Sequence, residues 1–156
     1  MTCVCVWDGS SGRSWTPPLD RDAIVETLGA ASQIWTYNGA QFDLPVLARC
    51  LGVDLETHGA WQRKLVDPLH GARALLGTRA CAKLSVVLEL NGLESKSASG
   101  AEAVVMAREG RWRELEDYCM QDTRLTYELI AQPCILWPGG LRWVQGSWCA
   151  VKQHPC

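Results

Sequence analysis

The chain opens on a short apolar, β-branched run, Thr2–Trp7 (TCVCVW), followed by Asp8-Gly9-Ser10-Ser11-Gly12, a cluster of turn-forming residues. This pattern predicts a strand and a turn, with Ser14–Thr16 as a short returning strand. Pro17-Pro18 interrupts the pattern. Asp20 then stands as N-cap of a predicted helix whose apolar positions are Ala23, Ile24, Leu28 and Ala31. Ile34–Tyr37 reads as a buried strand stopped by Asn38-Gly39. A helix is predicted from about Leu44 to Leu51, with Pro45 in its first turn and Gly52 just past its end.

The second half is mostly helical in pattern. Pro68–Leu76 and Leu84–Leu90 carry apolar residues at helical spacing, separated by the polar stretch around Gly77–Arg79. Gly92–Gly100 reads as a loop, and helical spacing resumes at Ala101–Arg108 and Trp112–Ala131. The tail, Pro133–Cys156, alternates tryptophans with glycines and predicts a β-type extension. There is no internal repeat and no shift in composition, so the expectation is one α/β domain. Residues 1–132 would form its body and residues 133–156 its extension.

With 156 residues, the chain is long enough for one sizeable core. A formal net charge of −2 gives no support to gripping a long duplex by its phosphates. A compact site that holds a strand end on metal ions needs no global positive charge. Eight cysteines are present, yet no CxxC pair occurs, and His58, His70 and His154 complete no zinc spacing. The reading is of reduced, mostly buried thiols in an intracellular protein, in cytoplasm or nucleoid or nucleus. No secretory leader pattern and no apolar run near the roughly 20 residues of a membrane span is seen, so no membrane partner is expected. Among the eight tryptophans, Trp61, Trp112 and Trp143 could stack on bases, but packing is the preferred account.

Two segments carry candidate chemistry. In Asn38-Gly39-Ala40-Gln41-Phe42-Asp43-Leu44-Pro45, a strand ends, a tight turn follows, and Asp43 stands at a helix N-terminus. Ligands of open α/β sheets gather beyond the carboxyl ends of strands, so Asp43 is placed where a site would be. An ordinary N-cap explains the same residue. In Tyr118-Cys119-Met120-Gln121-Asp122, the tyrosine and the aspartate are one helical turn apart on a single face, and Leu125 and Leu129 continue the stripe. A carboxylate on an apolar stripe needs a partner. A divalent cation, an arginine or a helix end would each serve, and Tyr118 would be a core aromatic in the last two cases.

Taken together, in this order and with helical sequence between them, the two segments resemble the second and third signatures of the DEDDy-type 3′–5′ exonucleases. These are DnaQ-like proofreading enzymes of the ribonuclease H-like superfamily. The second signature reads NGxxFDxP and the third YxxxD, and Val66-Asp67-Pro68-Leu69-His70 is similar to the stretch leading into the family's middle helices. The resemblance covers roughly residues 1–131. It implies a ribonuclease H-like fold, a mixed β-sheet flanked by helices. It also implies two-metal phosphodiester hydrolysis at nucleic-acid 3′ ends with Mg2+ or Mn2+. By the same resemblance, Asp43 and Asp122 would be the metal ligands, Tyr118 would orient the attacking water, and Asn38, Gln41 and Phe42 would contact the nucleic acid. Asp117 stands where the sister subfamily has its histidine, which excludes that variety.

The family's first signature, Asp-x-Glu on the opening, central strand, is not matched anywhere before Asp43. Asp8 ends a strand, but Ser10 occupies the glutamate position. Thr2–Trp7 instead resembles the family's second strand. The expectation is therefore an exonuclease in truncated or split form, with little or no activity as this chain alone. Its expected partners are a single-stranded 3′ end and a polymerase or helicase, or an N-terminal fragment supplying the missing strand. A catalytically inactive nucleic-acid-binding or protein-interaction module is the alternative. An unrelated α/β domain with a chance motif match is the third reading.

Overall fold

The computed structural model describes residues 3–77, 82–94, 100–144 and 147–150. The predicted hairpin is present as β1 (Val4–Trp7) and β2 (Gly12–Trp15), paired antiparallel from Val4 opposite Trp15 to Trp7 opposite Gly12. Asp8 closes its turn. The carboxylate accepts bonds from the backbone N–H groups of Ser10 and Ser11, both at 2.8 Å, and from both serine hydroxyls. Those bonds hold the Asp8 carboxyl far below the usual range. Asp8 is thus a turn former, in keeping with its failure to match the missing signature.

Helix α1 (Arg21–Ala30) starts at the predicted cap, with the Asp20 side chain accepting from Ala23 N–H. Strand β3 is only Ile34–Trp35, shorter than predicted. Its partner β4 (Leu65–Val66) and the helix α3 (Leu55–Arg63) that leads to it were not predicted. Helix α2 (Asp43–Leu51) ends at Gly52 in the left-handed region, as its position just past the helix suggested. Helices α4 (Pro68–Leu76), α5 (Leu84–Leu90), α6 (Gly100–Glu109) and α7 (Trp112–Ile130) follow the predicted periodicities closely. The tail is β-type as expected, an antiparallel meander of β5 (Cys134–Trp137), β6 (Leu141–Val144) and β7 (Ser147–Ala150).

Period-two alternation makes β3 and β4 a wall between two cores. The strands run parallel, with Ile34 opposite Leu65 and Trp35 opposite Val66. Ile34 and Leu65 belong with Val4, Ile24, Leu28, Leu44, Leu47 and Trp61. Trp35 and Val66 face the other way, toward Leu69, Val87, Leu88, Leu125, Leu129 and Trp137. The tail is pinned to this second core by Asn91, whose side-chain amide donates to the Leu136 carbonyl at 2.9 Å and accepts from its N–H at 2.8 Å. Trp61 and Trp143 are buried as packing residues, whereas Trp112 is exposed.

The expected single mixed sheet is replaced by separate small sheets. Among the described residues, β1 pairs with β2 and β3 with β4, and no ladder joins the two pairs. The reason is local: a two-residue β3 spends its hydrogen bonds on the β4 side, through Ile34 N–H to the Lys64 carbonyl and Thr36 N–H to the Val66 carbonyl. Both pairs are instead bridged by α7. Met120 lies over Gly12, the Tyr127 hydroxyl over Gly9, and the Tyr127 ring stacks on Trp35 at 5.4 Å between centroids.

Candidate functional site

The turn after β3 is built by residues that tolerate close quarters. Asn38 adopts φ +71, in the left-handed region that Asn enters more readily than most residues. Gly39 packs so tightly on the Thr36 side chain that a Cβ would clash with it. Asp67, the N-cap of α4, then fastens the turn. Its carboxylate accepts from Asn38 N–H at 3.1 Å, Ala40 N–H at 3.0 Å and His70 N–H at 3.1 Å. Arg73, six residues further along on α4, donates to the side-chain oxygens of Asn38 at 2.6 Å and Gln41 at 2.8 Å. Two of the residues singled out for nucleic-acid contact are therefore tied to an arginine. The third, Phe42, is 60% exposed and free to stack on a planar ligand.

Asp43 is not the ordinary helix cap that its position allows. Phe42 occupies the N-cap position without a side-chain cap bond, and Asp43 is the first helical residue. The Asp43 side chain keeps solvent access, yet the protein packed around it strips away part of its hydration. That crowding, and then the nearby charge of Asp67, raise its carboxyl above the usual range. Two carboxylates thus share one end of the β3–β4 wall.

On α7 the predicted common face is realised. Tyr118 is hydrogen-bonded to Asp122, and Leu125 and Leu129 continue the stripe into the core, each fully buried. Burial, followed by the charges of Asp122 and of neighbours including Glu102 on α6, keeps the Tyr118 phenol protonated well above its ordinary range. A hydroxyl in that state donates and accepts hydrogen bonds but does not serve as a base. A hollow of about 370 Å³ between α6 and α7 is lined by Ala103, Val104, Ala107, Arg108 and Leu115, so none of the predicted site residues lines it.

The structure thus groups the predicted residues in two sets. Asn38, Gln41, Phe42 and Asp43 belong to the turn that Asp67 and Arg73 hold. Tyr118 and Asp122 share α7. Sequence reasoning missed Asp67, Arg73 and Glu102. The position of Asp67 directly before Pro68 at a helix start is a local signal for a cap.

A family model for the RNase H superfamily matches residues 4–132. The chain belongs to the RNase H superfamily. No curated protein and no solved structure matches it. Membership in this superfamily points to nuclease-type activity and nucleic-acid binding, and the segments Asn38–Pro45 and Tyr118–Asp122 both fall inside the matched residues. No helix among the described residues is long and apolar enough to cross a membrane.

Proposed function

We propose that this RNase H-superfamily domain is the body of a DEDDy-type 3′–5′ exonuclease, in which Asp43 and Asp122 converge as metal ligands and Tyr118 positions the attacking water. The observation that carries this reading is the state of Asp43. It stands at the helix start without capping it and is crowded by a second carboxylate, an arrangement that a cation relieves and a bare cap does not require. The donors fit a hard divalent ion: carboxylate oxygens at Asp43 and Asp122, with the charges of Asp67 and Glu102 close by. When bound, Mg2+ or Mn2+ supplies charge neutralisation at the phosphate and an acidified water.

The chain's own residues have separable roles in this reading. Tyr118 keeps its proton and orients the water through its hydroxyl, next to the Asp122 carboxylate. Phe42 stacks on the terminal base. Arg73 is a positioning residue, because it holds the Asn38 and Gln41 side chains that line the turn. The Asp-x-Glu pair would come from a further strand, supplied by another segment or partner. The unjoined β1–β2 and β3–β4 pairs, both lying on α7, support such a strand.

The test is release of nucleotides from 3′-labelled single-stranded DNA and RNA with Mg2+ or Mn2+. The 156-residue chain alone is expected to release next to nothing, because catalytic carboxylates act as a set and their losses are not additive. Adding a segment that bears an Asp-x-Glu strand is expected to restore release, and Asp122→Ala or Asp43→Ala to abolish it. Robust release by the chain alone that survives Asp122→Ala would overturn the proposal. Tight single-strand binding with no release in any combination would favour the inactive binding module.

A further inference from the structure

No zinc spacing occurs along the chain, yet folding gathers three of the eight cysteines at one point. Cys3 immediately precedes β1 and Cys5 lies in it two residues on, a spacing that sends both side chains to the same face. That face lies against α7 where Cys119 points back, and the three sulfurs all lie within 4.8 Å of one another. Cys3 Sγ and Cys5 Sγ are 3.6 Å apart. A cation bound by thiolates at about 2.3 Å in a tetrahedral shell holds its sulfurs about 3.8 Å apart. The Cys3–Cys5 pair already stands near that spacing, and the Cys119 sulfur need approach by no more than about 1 Å.

The surroundings suit a metal better than simple packing. All three residues are half-buried rather than sealed in either core, which corrects the expectation of mostly buried thiols. A ligand can therefore enter, and water can fill a fourth position. The thiolate is the metal ligand, so binding a cation here would release the thiol protons. Cys5 Sγ makes only a weak further contact, with the Glu116 carbonyl at 3.9 Å.

We propose that Cys3, Cys5 and Cys119 form a three-thiolate site for a thiophilic cation of the zinc class, which clamps β1 to α7. The site is separate from the carboxylate chemistry: soft sulfur ligands select a cation unlike the hard ion that carboxylates prefer. It stands whether or not the nuclease reading does. Because Cys119 is the neighbour of Tyr118, the clamp would fix the helical turn that carries Tyr118 and Asp122.

The experiment uses the reduced, metal-free full chain titrated with Zn2+ against a chromophoric chelator. One zinc per chain is expected. Bound zinc should protect Cys3, Cys5 and Cys119 from alkylation, mapped by mass spectrometry, while the exposed Cys50 stays reactive. Cys119→Ser is expected to weaken binding by roughly 100-fold or more, and Cys50→Ser to leave it unchanged. Substituted Co2+ should give a sulfur-to-cobalt charge-transfer band that Cys119→Ser weakens. Should Cys119→Ser fail to fold, protection and cobalt spectra on the unaltered chain decide the matter. Unchanged alkylation of the three residues with zinc present would overturn the proposal. So would full affinity in folded Cys119→Ser, or a disulfide among the three in place of zinc uptake.

Discussion

At Asn38–Asp43 the backbone bends through a left-handed residue and is held from outside, by Asp67 and Arg73 of a different element. At Tyr118–Asp122 the backbone is a plain turn of a 19-residue helix, and its order comes from the helix itself and from Leu125 and Leu129 beneath it. Both segments present a carboxylate, but they reach that end by different means. The turn depends on long-range polar bonds, each of which can be lost singly. The helical face depends on apolar burial, which a change at Tyr118 leaves intact. Substitutions near Asp43 should therefore be costly even where they touch no ligand, while substitutions on the α7 face should separate function from stability.

The largest effect is expected from Asp67→Ala. Three backbone N–H groups lose their acceptor, at about 1 kcal/mol each. The sum of about 3 kcal/mol corresponds to a fall in Tm of roughly 10 °C for a domain of this size. Calorimetry on the full chain checks it. A change below about 1 kcal/mol would mean that water replaces the carboxylate and that the turn is not held from outside. Gly39→Ala comes next, at about 2 kcal/mol, because the added methyl must displace the Thr36 side chain or the turn itself. Thr36→Gly in the same chain should recover part of that loss, and no recovery would place the strain elsewhere. On the helical side, Tyr118→Phe removes one hydrogen bond and little packing. It should cost about 1 kcal/mol or less while, on the proposed function, removing most of any nuclease activity.

What was legible in the sequence follows the same division. Helices α4 to α7 were readable because their apolar positions repeat over many residues, and the Tyr118–Asp122 face follows from the helical period alone. Asp20 and Gly52 were readable because caps are local signals. Strand β4 and helix α3 were not, since a two-residue strand has no period to detect and α3 buries only Trp61. The roles of Asp67 and Arg73 depend on α4 lying against the β3 turn, a juxtaposition that no local pattern encodes. The thiol cluster was the least legible. Cys119 lies more than 110 residues along the chain from Cys3 and Cys5, and a spacing rule applied along the sequence rejects what folding brings together.

The smallest effect has the opposite sign and tests the comparison most sharply. Asp43 and Asp67 are neighbouring carboxylates, but one is satisfied by three N–H groups and the other is crowded. A carboxyl whose folded pKa lies above its unfolded value binds its proton more tightly in the native state. Its contribution is fully present below the unfolded pKa and is lost as pH rises through the folded pKa. At neutral pH, then, Asp43 carries an unfavourable charge. Asp43→Asn should stabilise the chain there, by no more than about half a kcal/mol because the side chain is solvent-screened. The gain should fade as pH falls below the carboxylate range, where the wild-type residue is itself neutral. Asp67→Asn should destabilise at the same neutral pH. Millimolar Mg2+ supplies the missing counter-charge, so it should narrow the difference between wild type and Asp43→Asn. If Asp43→Asn destabilises the chain at neutral pH, the carboxylate has a structural role and is not held in its crowded position for a cation.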